Sequence, residues 1–91
     1  MFCVVSYDIE DDNRRNKAAK ILLDFGRRVQ YSVYECLVDD KDLKKLVNRL
    51  QKTISEQTDS VRIYVLCANC KKTVKIMGLG QLTEEKEIYI V

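Results

Sequence analysis

The residues with chemistry to offer gather near the start of the chain, in Phe2-Cys3-Val4-Val5-Ser6-Tyr7-Asp8-Ile9-Glu10-Asp11-Asp12-Asn13-Arg14-Arg15. An apolar strand pattern ends at Asp8 and turns within a few residues into a basic helix start. A carboxylate at the end of a buried strand is costly, because desolvation disfavours its charged form. Placed beside arginines, it suits a site that meets a metal ion or a phosphate. Asp11 and Asp12 are available to cap the helix, and helix-dipole compensation accounts for Glu10 as well. Asp8 is left without a structural job. Magnesium usually takes one or two protein carboxylates together with waters and substrate oxygens. A two-fold dimer would supply two carboxylates from this one residue.

The chain contains no histidine. Imidazole acid–base catalysis and Ser–His or Cys–His nucleophiles are therefore outside its means. If it cleaves a phosphodiester, a metal-bound water is the most accessible nucleophile. Net charge is only +2, but Arg14, Arg15, Lys17, Lys20, Arg27 and Arg28 face only Asp24 between Asn13 and Arg28. That local surplus suits a nucleic-acid backbone, while a solvated helix face explains Lys17 and Lys20 equally well.

Asp11 or Asp12 opens a first helix that runs to about Phe25, where Gly26 stops it. Ala18, Ile21, Leu22 and Phe25 follow helical spacing and form its core stripe. Arg14 and Arg15 sit in its first turn, beside the end of the preceding strand. Residues 28–38 read as extended, with a break near Tyr31-Ser32 that splits them into two strands. Asp39 or Asp40 caps a second helix whose stripe is Leu43, Leu46, Val47, Leu50 and Ile54. Asp59-Ser60 opens a strand to about Cys67, with Val61, Ile63 and Val65 on one face and Arg62, Tyr64 and Leu66 on the other. Two further short strands are expected, at about Thr73–Met77 and at Glu87–Val91. This order suits an α+β, ferredoxin-like sandwich with two helices on one face of an antiparallel sheet. The last apolar strand would extend its own sheet or complete that of a partner.

Ninety-one residues, 46% hydrophobic and 33% charged, fit one soluble globular domain spanning 1–91. A chain this small buries only about two-thirds of its unfolded surface, so pairing with a second copy would help it. No apolar run approaches the roughly 20 residues needed to span a bilayer, and no signal-peptide layout is present. The expected location is cytoplasmic, without membrane association, and the four cysteines are expected to be reduced there. Cys67-Ala68-Asn69-Cys70 has the spacing of half a zinc site or of a redox pair. Cys3 and Cys36 fall in strands, where a thiol serves as a small buried hydrophobe.

Tyr7-Asp8-Ile9, Asp12-Asn13 with Arg15, Gly26 followed by Arg28-Val29-Gln30-Tyr31-Ser32-Val33-Tyr34-Glu35-Cys36, and Asp59-Ser60-Val61-Arg62-Ile63-Tyr64 together resemble the small CRISPR-associated endonuclease family. This is the lesser of the two proteins that capture new spacers in that antiviral defence. The resemblance covers essentially the whole chain. It implies a ferredoxin-like homodimer whose C-terminal strands complete the partner's sheet. It further implies metal-dependent phosphodiesterase activity on RNA or double-stranded DNA, with Mg²⁺ or Mn²⁺. It also implies a place as the central DNA-binding dimer between two dimers of the larger CRISPR integrase. Asp8 matches the family's metal-ligating aspartate, and Tyr7, Arg15, Arg28 and Tyr34 match positions tied to activity. Lys17 stands where some relatives have arginine, and so keeps the charge but loses the bidentate fork.

The expected mechanism places one ion between two Asp8 carboxylates, with Arg15 and Arg28 offsetting charge on the phosphodiester. Arg14, Lys17 and Arg27 complete the expected nucleic-acid surface. Two other readings stand beside it. One is a non-catalytic DNA-binding scaffold for the integrase, and the other is a toxin-like ribonuclease of similar fold.

Overall fold

The computed structural model describes residues 1–83. The strand expected at Glu87–Val91 lies outside the described residues. The elements are β1 (Phe2–Asp8), α1 (Asp12–Phe25), β2 (Gly26–Gln30), β3 (Val33–Leu37), α2 (Asp40–Thr53), β4 (Ser60–Leu66) and α3 (Ala68–Lys72). The strands form one sheet in the order β2-β3-β1-β4, every neighbouring pair antiparallel. That is the expected ferredoxin-like α+β arrangement, with the long extended segment broken into β2 and β3 at Tyr31-Ser32.

Local chemistry sets the helix ends. The Asp11 carboxylate accepts the Arg14 N–H at 2.9 Å, and Asp39 accepts the Asp42 N–H at 2.7 Å. Each satisfies a donor that the first helical turn leaves without a partner. The core lies between α1, α2 and one face of the sheet. Strand alternation turns Cys3, Val5 and Tyr7 toward Ala18, Ile21 and Leu22 of α1 and Leu46 and Leu50 of α2. Leu22 and Leu46 are fully buried, each contributing about 1.5–3 kcal/mol by removal from water.

Gly26 ends α1 and begins β2 with extended backbone, and its absent side chain is a packing requirement. A Cβ there would lie 2.1 Å from the Glu35 carbonyl oxygen and 2.7 Å from the Cys36 Cα. Only hydrogen at this position lets β2 lie against β3.

The strand expected at Thr73–Met77 is not formed. The chain makes the short helix α3 instead, and the Thr73 and Val74 N–H groups donate back to the Cys70 and Lys71 carbonyls. With those groups committed to a helical turn, no strand ladder begins, and Val74 and Ile76 stay partly exposed. Lys71 brings its ammonium 5.1 Å from the Phe2 ring centroid. The side chain thus covers the far end of β1, on the sheet face that α1 and α2 leave open.

Candidate functional site

Alternation along β1 separates Tyr7 from Asp8. Tyr7 is buried on the helix side, whereas Asp8 is exposed at the strand's end. Its backbone partner in β4 is Ser60, and Ser6 lies opposite Arg62. Asp8, Ser6, Ser60, Arg62 and Tyr64 therefore line one concavity on the open face, of about 280 Å³. A second concavity of about 430 Å³ lies around the strand end, lined by Asp8, Glu10, Arg15, Tyr31 and Ser32. Tyr7 and Asp8 border both. Ion pairs among the described residues involve Asp11, Asp12, Asp24 and Asp59, leaving the Asp8 carboxylate open to ligands.

Arg15 reaches the same corner because the first turn of α1 folds back over the loop after β1. Its guanidinium donates to the Ile9 and Glu10 carbonyls at 3.2 and 3.0 Å and pairs with Asp12. These contacts hold a cation beside Asp8.

Behind the strand, the Tyr7 and Tyr34 rings pack with centroids 5.8 Å apart. Their hydroxyls share a 3.4 Å hydrogen bond. Arg28, opposite Tyr34 in the β2–β3 ladder, donates to the Tyr34 hydroxyl through Nε at 2.9 Å and Nη2 at 2.7 Å. Burial first, and then the hydrogen bond with Tyr34, push the Tyr7 hydroxyl up to about 12. It stays a neutral phenol at any physiological pH.

The remaining basic residues disperse. Arg14 faces the loop before β4, where Asp59 accepts from its Nε at 2.8 Å and from Nη2 at 3.2 Å. The Asp59 side chain is 1% exposed, and the Ser55 N–H also donates to it at 2.8 Å. Those bonds, the one from Arg14 foremost, hold its carboxyl down to about 2. Arg27 points to the open face, where it donates to the Thr83 hydroxyl at 2.7 Å and to the Gln81 carbonyl. Glu35 receives the Thr83 N–H and hydroxyl at 3.0 and 2.7 Å. Lys17 is exposed on α1 and lines neither concavity beside Asp8.

The structure thus gathers Asp8 with Arg15, and Tyr7 with Tyr34 and Arg28. Arg14 and Arg27 are engaged in pinning the chain. Sequence reasoning did not connect Arg62 with Asp8, nor Asp59 with Arg14. The alternation of β4 had placed Arg62 and Tyr64 on one face, and only the β1–β4 register shows that Asp8 shares it.

The family model of CRISPR associated protein Cas2 matches residues 1–74. A relative from Chloroflexus aurantiacus, named CRISPR-associated endoribonuclease Cas2 3, is 42% identical over 91 residues, covering all of this chain and 98% of the relative. The crystal structure of Streptococcus pyogenes Cas2 superposes with a TM-score of 0.75 at 36% identity, covering 86% of this chain and all of that one. A chain of a partial Cas6-RT-Cas1–Cas2 complex matches with a TM-score of 0.65 at 25% identity, over 84% of this chain and 89% of that one. Sequence and fold agree along nearly the whole length, and this chain belongs to the CRISPR-associated Cas2 family.

Proposed function

We propose that the protein is a metal-dependent endonuclease that hydrolyses RNA or double-stranded DNA as a homodimer, and that it serves CRISPR spacer acquisition alongside the larger integrase. The observation that carries this reading is Asp8, exposed at the end of β1 and bordering two concavities that hold Arg15 and Arg62. Among the described residues, no group of three or more His, Cys, Asp or Glu side chains converges on a point. One protomer therefore brings no full ligand cluster to Asp8, and a second copy of Asp8 adds a carboxylate of the hard oxygen kind that Mg²⁺ or Mn²⁺ prefers. When bound, such an ion supplies a more acidic water and an electrophile for the phosphate.

The chain's own groups do the rest. Arg15, fixed by two carbonyls, and exposed Arg62 offer N–H donors to phosphate oxygens on either side of Asp8. Behind the strand the Tyr7 hydroxyl stays neutral, and the Tyr34 hydroxyl accepts from Arg28 and holds it in place. The names of the relatives, endoribonuclease among them, support the reaction class.

The test compares wild type with Asp8→Asn on RNA and on duplex DNA, with and without Mg²⁺. Hydrolysis is expected to fall by about 100-fold or more, the scale of losing one electrostatic stabiliser of a transition state. Unchanged hydrolysis in Asp8→Asn removes the mechanism. Sedimentation of the purified protein should report a dimer.

A second reading is favoured by the neighbour solved within a Cas1–Cas2 assembly. In it, the protein is a DNA-binding scaffold for the integrase and its chemistry is dispensable. Duplex binding that weakens with salt and persists in Asp8→Asn is its signature. A dimer that binds neither duplex at low salt nor the integrase excludes it.

A further inference from the structure

Two cysteines take no part in the Asp8 site, and their setting differs from that of the other two. Cys3 and Cys36 are fully buried and face each other across β1 and β3. Burial raises both thiols, Cys36 to about 11, so they remain protonated and shielded. Cys67 and Cys70 are free thiols too, but both are exposed. They lie one helical turn apart, and the Cys67 Sγ accepts the Cys70 backbone N–H at 3.3 Å. Such i, i+3 spacing places Cα atoms within the range a disulfide can bridge, about 4.4–6.8 Å. α3 lies at the Phe2 end of β1, about 20 Å from Asp8 along a strand that rises about 3.3 Å per residue.

We propose that Cys67 and Cys70 form a thiol–disulfide exchange site that reacts with low-molecular-weight disulfides such as oxidised glutathione and closes into an intramolecular disulfide. The two thiols divide the work. The Cys70 backbone N–H, donating to sulfur, lowers Cys67, and the neighbouring Cys67 sulfur raises Cys70. Cys67 is the attacking thiol and Cys70 the resolving one.

In the first step Cys67, having released its proton to solvent, attacks one sulfur of the small disulfide. A Cys67–S–S–R bond forms, and RS⁻ leaves and takes up a proton. Cys70 then gives up its proton and attacks the Cys67 sulfur, releasing the second RS⁻, which is protonated in turn. The protein loses two protons and two electrons, and one RSSR becomes two RSH. A thiol pool reverses the reaction. None of this rests on the proposed nuclease chemistry.

The experiment incubates the reduced full-length protein with oxidised glutathione and follows intact mass and the peptide containing both cysteines. Wild type is expected to lose two hydrogens, with the bridge mapping to Cys67 and Cys70, and to regain them in excess reduced glutathione. Cys70→Ser is expected to accumulate one glutathione adduct at Cys67. Iodoacetamide labelling of wild type is expected to reach its midpoint at lower pH for Cys67 than for Cys70. Stable adducts on both cysteines of wild type, bridges formed only between chains, or a zinc ion held by these thiols across two chains would each overturn the assignment.

Discussion

Arg28 donates two N–H groups to the Tyr34 hydroxyl, at 2.9 and 2.7 Å, and that oxygen lies 3.4 Å from the Tyr7 hydroxyl. A cation at the sheet edge is thereby tied through two buried rings to the residue next to Asp8. Its guanidinium carbon also lies 5.4 Å from the Tyr34 ring centroid and 5.9 Å from that of Tyr31. Tyr34→Phe keeps the packing but removes the oxygen that fixes the fork. Nuclease turnover should fall in Tyr34→Phe while the far-UV spectrum stays that of wild type.

Tyr7 gives this arrangement an alkaline signature. Its folded-state value, about 12, lies above the roughly 10 of a free tyrosine. The neutral form is favoured in the fold, so its stabilising contribution is complete below pH about 10 and is lost as pH rises towards 12. The ultraviolet titration of wild type minus Tyr7→Phe should show one phenol ionising near pH 12. An ionisation near pH 10 would mean that Tyr7 is not buried against Tyr34.

The Arg14–Asp59 pair has the opposite sign. The Asp59 carboxyl is held down to about 2, below the roughly 3.9 of an unfolded aspartate. Its contribution is present above pH about 4 and disappears as pH falls towards 2. Thermal melts of Asp59→Asn should start from a lower Tm at pH 7 and lose less than wild type between pH 4 and pH 2. Parallel acid profiles in the two proteins would show that the pair does not act in this way.

Gly26→Ala tests the close approach of β2 and β3. A methyl carbon 2.1 Å from a backbone oxygen cannot be accommodated by a side-chain rotation, and overpacking of this kind costs about 1–3 kcal/mol. Denaturant unfolding should show a loss of at least that size. An unchanged midpoint would mean that β2 does not lie against Glu35 as described.

Arg62 shares a concavity with Asp8 and is exposed. Arg62→Ala should weaken duplex binding to a similar extent across sequences. It should reduce the slope of log affinity against log salt by about 0.9, the loss of one phosphate contact. Its Tm should match wild type. A full salt slope would place the phosphate elsewhere.

Much of the molecule could be read from neighbouring residues alone. Asp11 and Asp39 cap their helices through bonds three residues ahead. The stripes through Leu22 and Leu46 follow from helical spacing, and the break at Tyr31-Ser32 follows from a failed alternation. Asp8 could be picked out for the same reason, since caps lay nearby and left it without a local role. The short segment after Cys67 misled, because Thr73–Met77 carries a strand-like pattern but its first N–H groups close a helical turn.

Residues within a turn or a strand of each other were therefore enough for the helix caps, the core faces, the candidacy of Asp8 and, outside the segment after Cys67, the element types. Which distant residues share a surface follows from the packed fold alone. Arg14 and Asp59 lie 45 residues apart, and no local pattern distinguishes an arginine bound for a buried carboxylate from one facing solvent. Arg27 and Arg28 are adjacent, yet strand alternation turns one toward Thr83 and the other toward Tyr34. Asp8 and Arg62 line one concavity because the antiparallel register of β1 and β4 sets Asp8 opposite Ser60. Backbone hydrogen bonds between strands fix that pairing, and a slip of one residue would carry each side chain to the other face.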